Sequence, residues 1–326
     1  MKFAVGYQLT GNDRLIGEII RQKEKIGEVY FSWGGLPNGR HAADTVPGLS
    51  PWEARERTIG ELGLLAKAGL PFNLLLNGNC YGGDALSKSF FNTVCDTVDE
   101  VGERFGCLVS VTTTSPVLAH LIKVNFPDLE VRASVNMEIG TRVGVEYLSA
   151  DFDGFYLARE LNRDLPALKK LSEYCRSIGK KVAILCNSGC LSHCPARQFH
   201  DNLVAHEREI MARDNAVAFR GVCDGFLREN PSAFLSRLNF IRPEDLPLYE
   251  GVADLYKLAT RVNPAPDAVL RAYAEGRYAG NLPELLEPDH AARLYPAVVE
   301  NRALPPDFGE RVSHCGTVCQ SGGDCA

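Results

Sequence analysis

The sequence predicts an α/β fold whose parallel strands close into a TIM-barrel-like (β/α)8 domain. Three observations carry this. Short apolar runs alternate with longer amphipathic stretches about eight times before residue 262. A chain of 326 residues holds one such barrel, which takes roughly 250, together with an extension. The rival, an open doubly wound sheet, lacks its phosphate-binding signature. The first strand runs into Gly6-Tyr7-Gln8-Leu9-Thr10-Gly11, which is not G-x-G-x-x-G, and no G-x-x-x-x-G-K-[ST] occurs anywhere.

Strands are expected at residues 2–7, 28–33, 72–77, 107–112, 129–133, 154–157, 181–186 and 254–258. A further extended run at 238–242 leaves the strand count open. Helices are expected at 52–68, 84–105, 115–124, 136–147, 165–178 and 200–213. In the fifth, Leu165, Leu168, Leu171, Tyr174, Cys175 and Ile178 recur every three to four residues. Gly82-Gly83 precedes Asp84, and Ser115-Pro116 opens the third helix with Pro in its first turn. Gly179 closes the fifth. The barrel domain is placed at 1–262. Residues 263–326 read as a short α-rich, cysteine-bearing extension, proline-rich at first and small and polar over 313–326.

Hydrophobic residues make up 45% and charged residues 23%, with a net charge of −6, which excludes disordered, collagenous and coiled-coil classes. That charge also argues against a non-specific binder of nucleic acid or membrane. No apolar run approaches the ~20 residues that span a bilayer, so no membrane insertion is expected. Residues 1–11 read as a strand and turn rather than a secretory leader, and the expected location is cytoplasmic.

Cysteine is the unusual residue, with 11 copies. An odd count in a chain large enough to bury its own core is not a disulfide scaffold. Cys95, Cys107 and Cys175 lie on apolar periodic faces and read as small core residues. Six others form two clusters: Cys186, Cys190, Cys194, and Cys315, Cys319, Cys325. The first leaves the C-terminal end of a strand, where barrel active sites are built. Its C-x3-C-x3-C spacing, with Gly189 at a bend and Pro195 after the last thiol, suits an iron–sulfur loop, and Cys223 is the nearest later thiol. Zinc held by three thiols and His193 is the alternative. The tail cluster would bind a second metal centre or complete the first, with Gly316, Gly322 and Gly323 letting it wrap.

Other polar residues fall at strand ends: Trp33, then Asn77, Asn79 and Cys80, then Thr112, Thr113 and Thr114, then Arg159-Glu160, and finally Lys257 and Arg261. Gathered at one barrel mouth they would form an anion-friendly pocket, with Arg159, Glu160, Lys257 and Arg261 as the candidate catalytic residues. His200 and His206, six apart, read as helix residues flanking the cysteine loop. There is no G-x-S-x-G, so no serine triad is argued.

Arg159-Glu160, Asn187-Ser188-Gly189-Cys190 with Cys194-Pro195 and Arg197, and Ile241-Arg242-Pro243-Glu244-Asp245-Leu246 leading to Leu255-Tyr256-Lys257-Leu258 and Arg261 resemble the collagenase-like peptidase family, peptidase family U32. The resemblance covers roughly residues 1–262. It implies a TIM-barrel-like domain and, for many members, a cysteine-bound 4Fe–4S cluster at the barrel mouth. It implies either a peptidase or an oxygen-independent hydroxylation protein, acting on ubiquinone precursors or on tRNA and rRNA bases. The expectation is an iron–sulfur redox enzyme for a small molecule or an RNA base. A peptidase, or a non-catalytic iron–sulfur subunit working with a protein partner, is the alternative.

Overall fold

All eight expected strands form. They are β1 (Phe3–Gly6), β2 (Ile26–Phe31), β3 (Phe72–Leu76), β4 (Leu108–Thr113), β5 (Glu130–Ala133), β6 (Gly154–Tyr156), β7 (Lys181–Leu185) and β8 (Leu255–Leu258). The computed structural model describes residues 1–39, 48–215, 217 and 219–314. Each strand pairs in parallel with the next, and β8 returns to β1, so the sheet is a closed barrel. The run at 238–242 is not a ninth strand. Leu238, Phe240 and Ile241 are buried, but the run forms only an isolated antiparallel bridge, Leu238 with Leu191, and side chains take two of its carbonyls: Arg163 Nε donates to Leu238 O at 2.8 Å and Tyr273 OH to Ile241 O at 2.6 Å.

The helices are α1 (Arg14–Arg21), α2 (Pro51–Lys67), α3 (Lys88–Phe105), α4 (Pro116–Asn125), α5 (Arg142–Leu148), α6 (Leu165–Ser177), α7 (Arg197–Ala205), α8 (Glu207–Met211), α9 (Val222–Glu229), α10 (Ala233–Arg237) and α11 (Pro266–Glu275). Ser115 caps α4 as expected, and Gly179 sits at φ 73° after α6. Three expected helices differ. The segment from 84 starts helical only at Lys88, because Ser87 accepts from Phe90 N and Gly82–Asp84 is a separate 3-10 turn. The 136–147 segment divides around Glu138, which lies at φ 54°. The 200–213 segment divides at His206, between α7 and α8. Helix α1 was not anticipated. It is only 8 residues long, yet Leu15, Ile16 and Ile19 bury against the barrel.

The barrel lumen is polar where such barrels commonly stack branched aliphatics. Glu28 on β2 forms a buried ion pair with Arg132 on β5. Tyr156 OH donates to Glu28 Oε1 at 3.0 Å, and Ser110 Oγ donates to Oε2 at 3.3 Å. Asn73 Nδ2 donates to Ser110 at 2.7 Å, and Thr112 Oγ1 to Asn73 Oδ1 at 3.0 Å. A buried charge this well surrounded is tolerable; alone it would not be.

The segment after β8 packs back on the barrel. Helix α11 lies against α1, with Arg271 reaching Glu18 at 3.4 Å. The chain then crosses the mouth, where Ser188 and Glu287 form a parallel bridge.

Candidate active site

The C-terminal ends of the strands carry two adjoining chambers. The inner one is small, about 50 Å³, and lies on the barrel axis. Tyr30, Asn77, Asn136, Arg159, Lys257 and Arg261 line it. Lys257 projects from β8 with Nζ 4.2 Å from the Tyr30 ring centre and 4.7 Å from that of Tyr156. Burial and then the neighbouring Arg261 push its amine down to about 7, although Glu28 and Glu287 act the other way. Arg159 is 4% exposed, donates to Asn136 Oδ1 at 2.7 Å, and leaves Nε and Nη1 without a hydrogen-bond partner. Arg261 donates to Ser32 Oγ at 2.9 Å and Asn38 Oδ1 at 2.7 Å. Three basic side chains against one carboxylate, Glu287, leave this enclosed space net basic, which favours an anionic group.

The outer chamber is about 550 Å³. Cys190 and Cys194, from the loop after β7, and Cys223, from the first turn of α9, all face it. Arg261 and Glu287 belong to both chambers and connect them. The three thiols are half-buried and free of disulfides, and Cys223 is raised by burial, with Cys190 and Cys194 among the neighbouring charges. Arg197 stands beside Cys190 and is held protonated by Glu160 despite its burial.

The thiol loop is built by close contacts. Gly189 does not turn left-handed. A Cβ there would lie 2.3 Å from Pro288 O, so the loop can touch the 287–288 backbone only as glycine. Gly189 N donates to Glu287 O at 2.8 Å, and the buried His290 ring lies 2.6 Å from Gly189 O. Arg293 Nη1 lies 3.1 Å from His290 Nδ1, which places the imidazole proton on Nε2, facing the glycine carbonyl. Burial and Arg293 both keep His290 below the usual histidine range. Asn187 ties the loop to β8: Nδ2 donates to Ala259 O at 2.8 Å and Oδ1 accepts from Ala259 N at 2.6 Å. His193, at φ 51°, turns the chain between the two cysteines.

The sequence-derived residues therefore separate. Arg159, Lys257 and Arg261 meet in the inner chamber, and Cys190, Cys194 and Cys223 line the outer one. Glu160 points elsewhere. It bonds Arg197 at 2.7 Å and accepts from His193 N at 3.2 Å, so it braces the loop; burial would raise its carboxyl, but Arg197 holds it low. Cys186 is 0% exposed and packed in the apolar core, where burial pushes its thiol far up. Trp33 sits in an aromatic cluster with Phe31 and Phe105. Thr113 and Thr114 serve Tyr81 OH. Cys315, Cys319 and Cys325 lie outside the described residues. Among the described residues no three His, Cys, Asp or Glu side chains, those of Cys190, Cys194 and Cys223 included, converge as ligands of a single ion, and His193 is exposed.

Sequence reasoning passed over two groups. The Glu28–Arg132 lumen pair was signalled by charges inside the otherwise buried strands Ile26–Phe31 and Glu130–Ala133. Glu287, Pro288, His290 and Arg293 come from the extension, and nothing local marks them as mouth residues.

No family model matches the chain. It is 28% identical over 268 residues to the uncharacterized protease MJ1657 of Methanocaldococcus jannaschii, covering 79% of this chain and 76% of that protein. The solved structure of the U32 peptidase Mk0906 aligns with a TM-score of 0.53 at 14% identity, covering 79% of this chain and 93% of that one. At that identity the likeness speaks for the barrel fold.

Proposed function

From the premise that this chain resembles the U32 peptidases, as its motifs indicated, we propose that it is an iron–sulfur redox enzyme acting on a small anionic substrate or an RNA base at the barrel mouth. One observation carries the reading: thiols from two separate segments, Cys190, Cys194 and Cys223, line a single chamber that opens through Arg261 and Glu287 onto a basic pocket. Thiolate is the ligand chemistry that an iron–sulfur cluster takes, and Cys190, Cys194 and Cys223 would be the residues to hold it. Bound there, it would supply one-electron transfer.

The chain's own groups do the rest. Arg159 and Arg261 bind and orient an anionic substituent. Lys257, with its amine near neutrality, takes or gives a proton at Nζ. Arg197 places a fixed positive charge beside Cys190. Tyr30 and Tyr156 wall the amine from bulk water. The tail thiols Cys315, Cys319 and Cys325 are proposed as further ligands.

The test is anaerobic purification, iron and sulfide analysis, and a visible absorption spectrum. Wild type is expected to carry iron and acid-labile sulfide, and Cys190→Ser, Cys194→Ser or Cys223→Ser to lose most of both. Stoichiometric zinc without iron, or no metal in protein handled anaerobically, would overturn the reading.

A further inference from the structure

We propose that Lys257 is a site of reversible modification, at which carbon dioxide adds to Nζ as a carbamate and Arg159 holds the new carboxylate in the inner chamber. The chamber's size and its unmet donors both favour a small anion. Its volume is about 50 Å³, less than twice the ~30 Å³ share of one water molecule, so it suits a group of about three heavy atoms. Arg159, 4% exposed, uses Nη2 on Asn136 Oδ1 and leaves Nε and Nη1 without a partner. Donors left unmet in so buried a place cost free energy until an acceptor reaches them.

Lys257 supplies the nucleophile. It lines the same chamber from β8, with Nζ set against the rings of Tyr30 and Tyr156. Burial and then Arg261 bring the amine down to about 7, against Glu28 and Glu287, so much of it is unprotonated at neutral pH, the form that adds to carbon dioxide. Charge favours the product. With the amine neutral, Arg159 and Arg261 face one lining carboxylate among the described residues, Glu287. Glu28 is already paired with Arg132. A carbamate adds the second negative charge and balances the chamber. The proposal stands on the barrel mouth alone and needs no metal centre.

The step balances without an oxidant or reductant. The Nζ lone pair forms a bond to the carbon of carbon dioxide, and the π electrons of one C=O bond move onto its oxygen. The nitrogen then loses a proton to water, which leaves by way of the outer chamber. An N-carboxylate remains on Lys257, and the reverse steps restore the amine. The carbamate and an anionic substrate would contend for Arg159, which makes carbon dioxide a reversible occupant of the chamber.

The full-length protein equilibrated with ¹³C-labelled bicarbonate near neutral pH tests this. Its carbon NMR spectrum should show a carbamate carbonyl resonance that Lys257→Met lacks. Alkylation with triethyloxonium, then peptide mass spectrometry, should map a trapped carbamate to Lys257 at an occupancy at least about tenfold that on the exposed Lys67. Arg159→Met, its fold checked by circular dichroism, should lose most of the adduct. The wild-type measurement decides even if a variant folds poorly. A spectrum with no carbamate resonance, a resonance of equal size in Lys257→Met, or a full adduct in Arg159→Met would overturn the proposal. So would bicarbonate that raises the unfolding midpoint without any trapped adduct, since it would then be held as a free ion.

Discussion

Replacing Lys257 with Met should stabilise the fold at neutral pH and remove part of its pH dependence. The amine is held at about 7 by burial and by Arg261, whereas an unfolded lysine titrates near ~10.4. The folded value is the lower one, so between these two pH values the unfolded chain carries the extra proton. Stability is then complete above ~10.4 and drains away as pH falls toward 7. The window is roughly three pH units wide, each carrying ~1.4 kcal/mol, so the lysine costs the fold on the order of 4 kcal/mol at pH 7 as an upper bound. Methionine keeps the apolar stem against Tyr30 and Tyr156 without the charge. Urea unfolding of both proteins at pH 7, 8 and 9 checks this. The tyrosines and cysteines are common to both and cancel in the difference. Lys257→Met should be more stable by about 2–4 kcal/mol at pH 7, and its lead should shrink by about 1 kcal/mol with each pH unit. Parallel profiles, or a variant weaker than wild type at pH 7, would refute the reasoning.

Three further outcomes follow from the geometry. Gly189→Ala drives a methyl into the Pro288 carbonyl, 2.3 Å away with backbone on both sides; a loss of about 1–3 kcal/mol or more in thermal or urea unfolding is expected, and an unchanged midpoint would show that the 287–288 segment yields freely. Arg132→Met leaves the lumen carboxylate of Glu28 unpaired and should cost about 3–5 kcal/mol, most of it recovered in the Glu28→Gln, Arg132→Met double variant; additive losses would contradict the pairing. Deleting residues 315–326 should lower the iron bound per chain while calorimetry shows the same unfolding transition; a full iron load in the shortened chain would remove the tail thiols from the ligand set.

The barrel was legible because each strand is a short apolar run closed by a turn signal, and Phe72–Leu76 needs no partner to be recognised as one. The 238–242 run misled for the same reason: burial alone made it look like a strand, while its carbonyls were spoken for by Arg163 and Tyr273. Helix 200–213 read as continuous because no Gly or Pro marks the break at His206. Arg159, Lys257 and Arg261 could be placed together because each ends a strand of one barrel. Glu160 could not be told from Arg159, since adjacent residues diverge once the chain leaves the strand, one toward the axis and one toward the loop. The roles of His290 and Gly189 belong to a contact spanning 101 residues, and no local pattern encodes it.

The strap formed by Glu287, Pro288 and His290 has a bearing on the order of events during biosynthesis. β8, which closes the barrel, ends at Leu258, so the eight-stranded sheet is complete on a growing chain before the strap has left the ribosome. Until then Gly189 lacks its backbone neighbour, and the cysteine loop is held by Asn187, by the Leu191–Leu238 bridge and by the Glu160–Arg197 brace. The nascent barrel is thus a scaffold with an unlatched mouth. Arrival of the strap latches that mouth, making assembly of the site a late step with a defined direction along the chain.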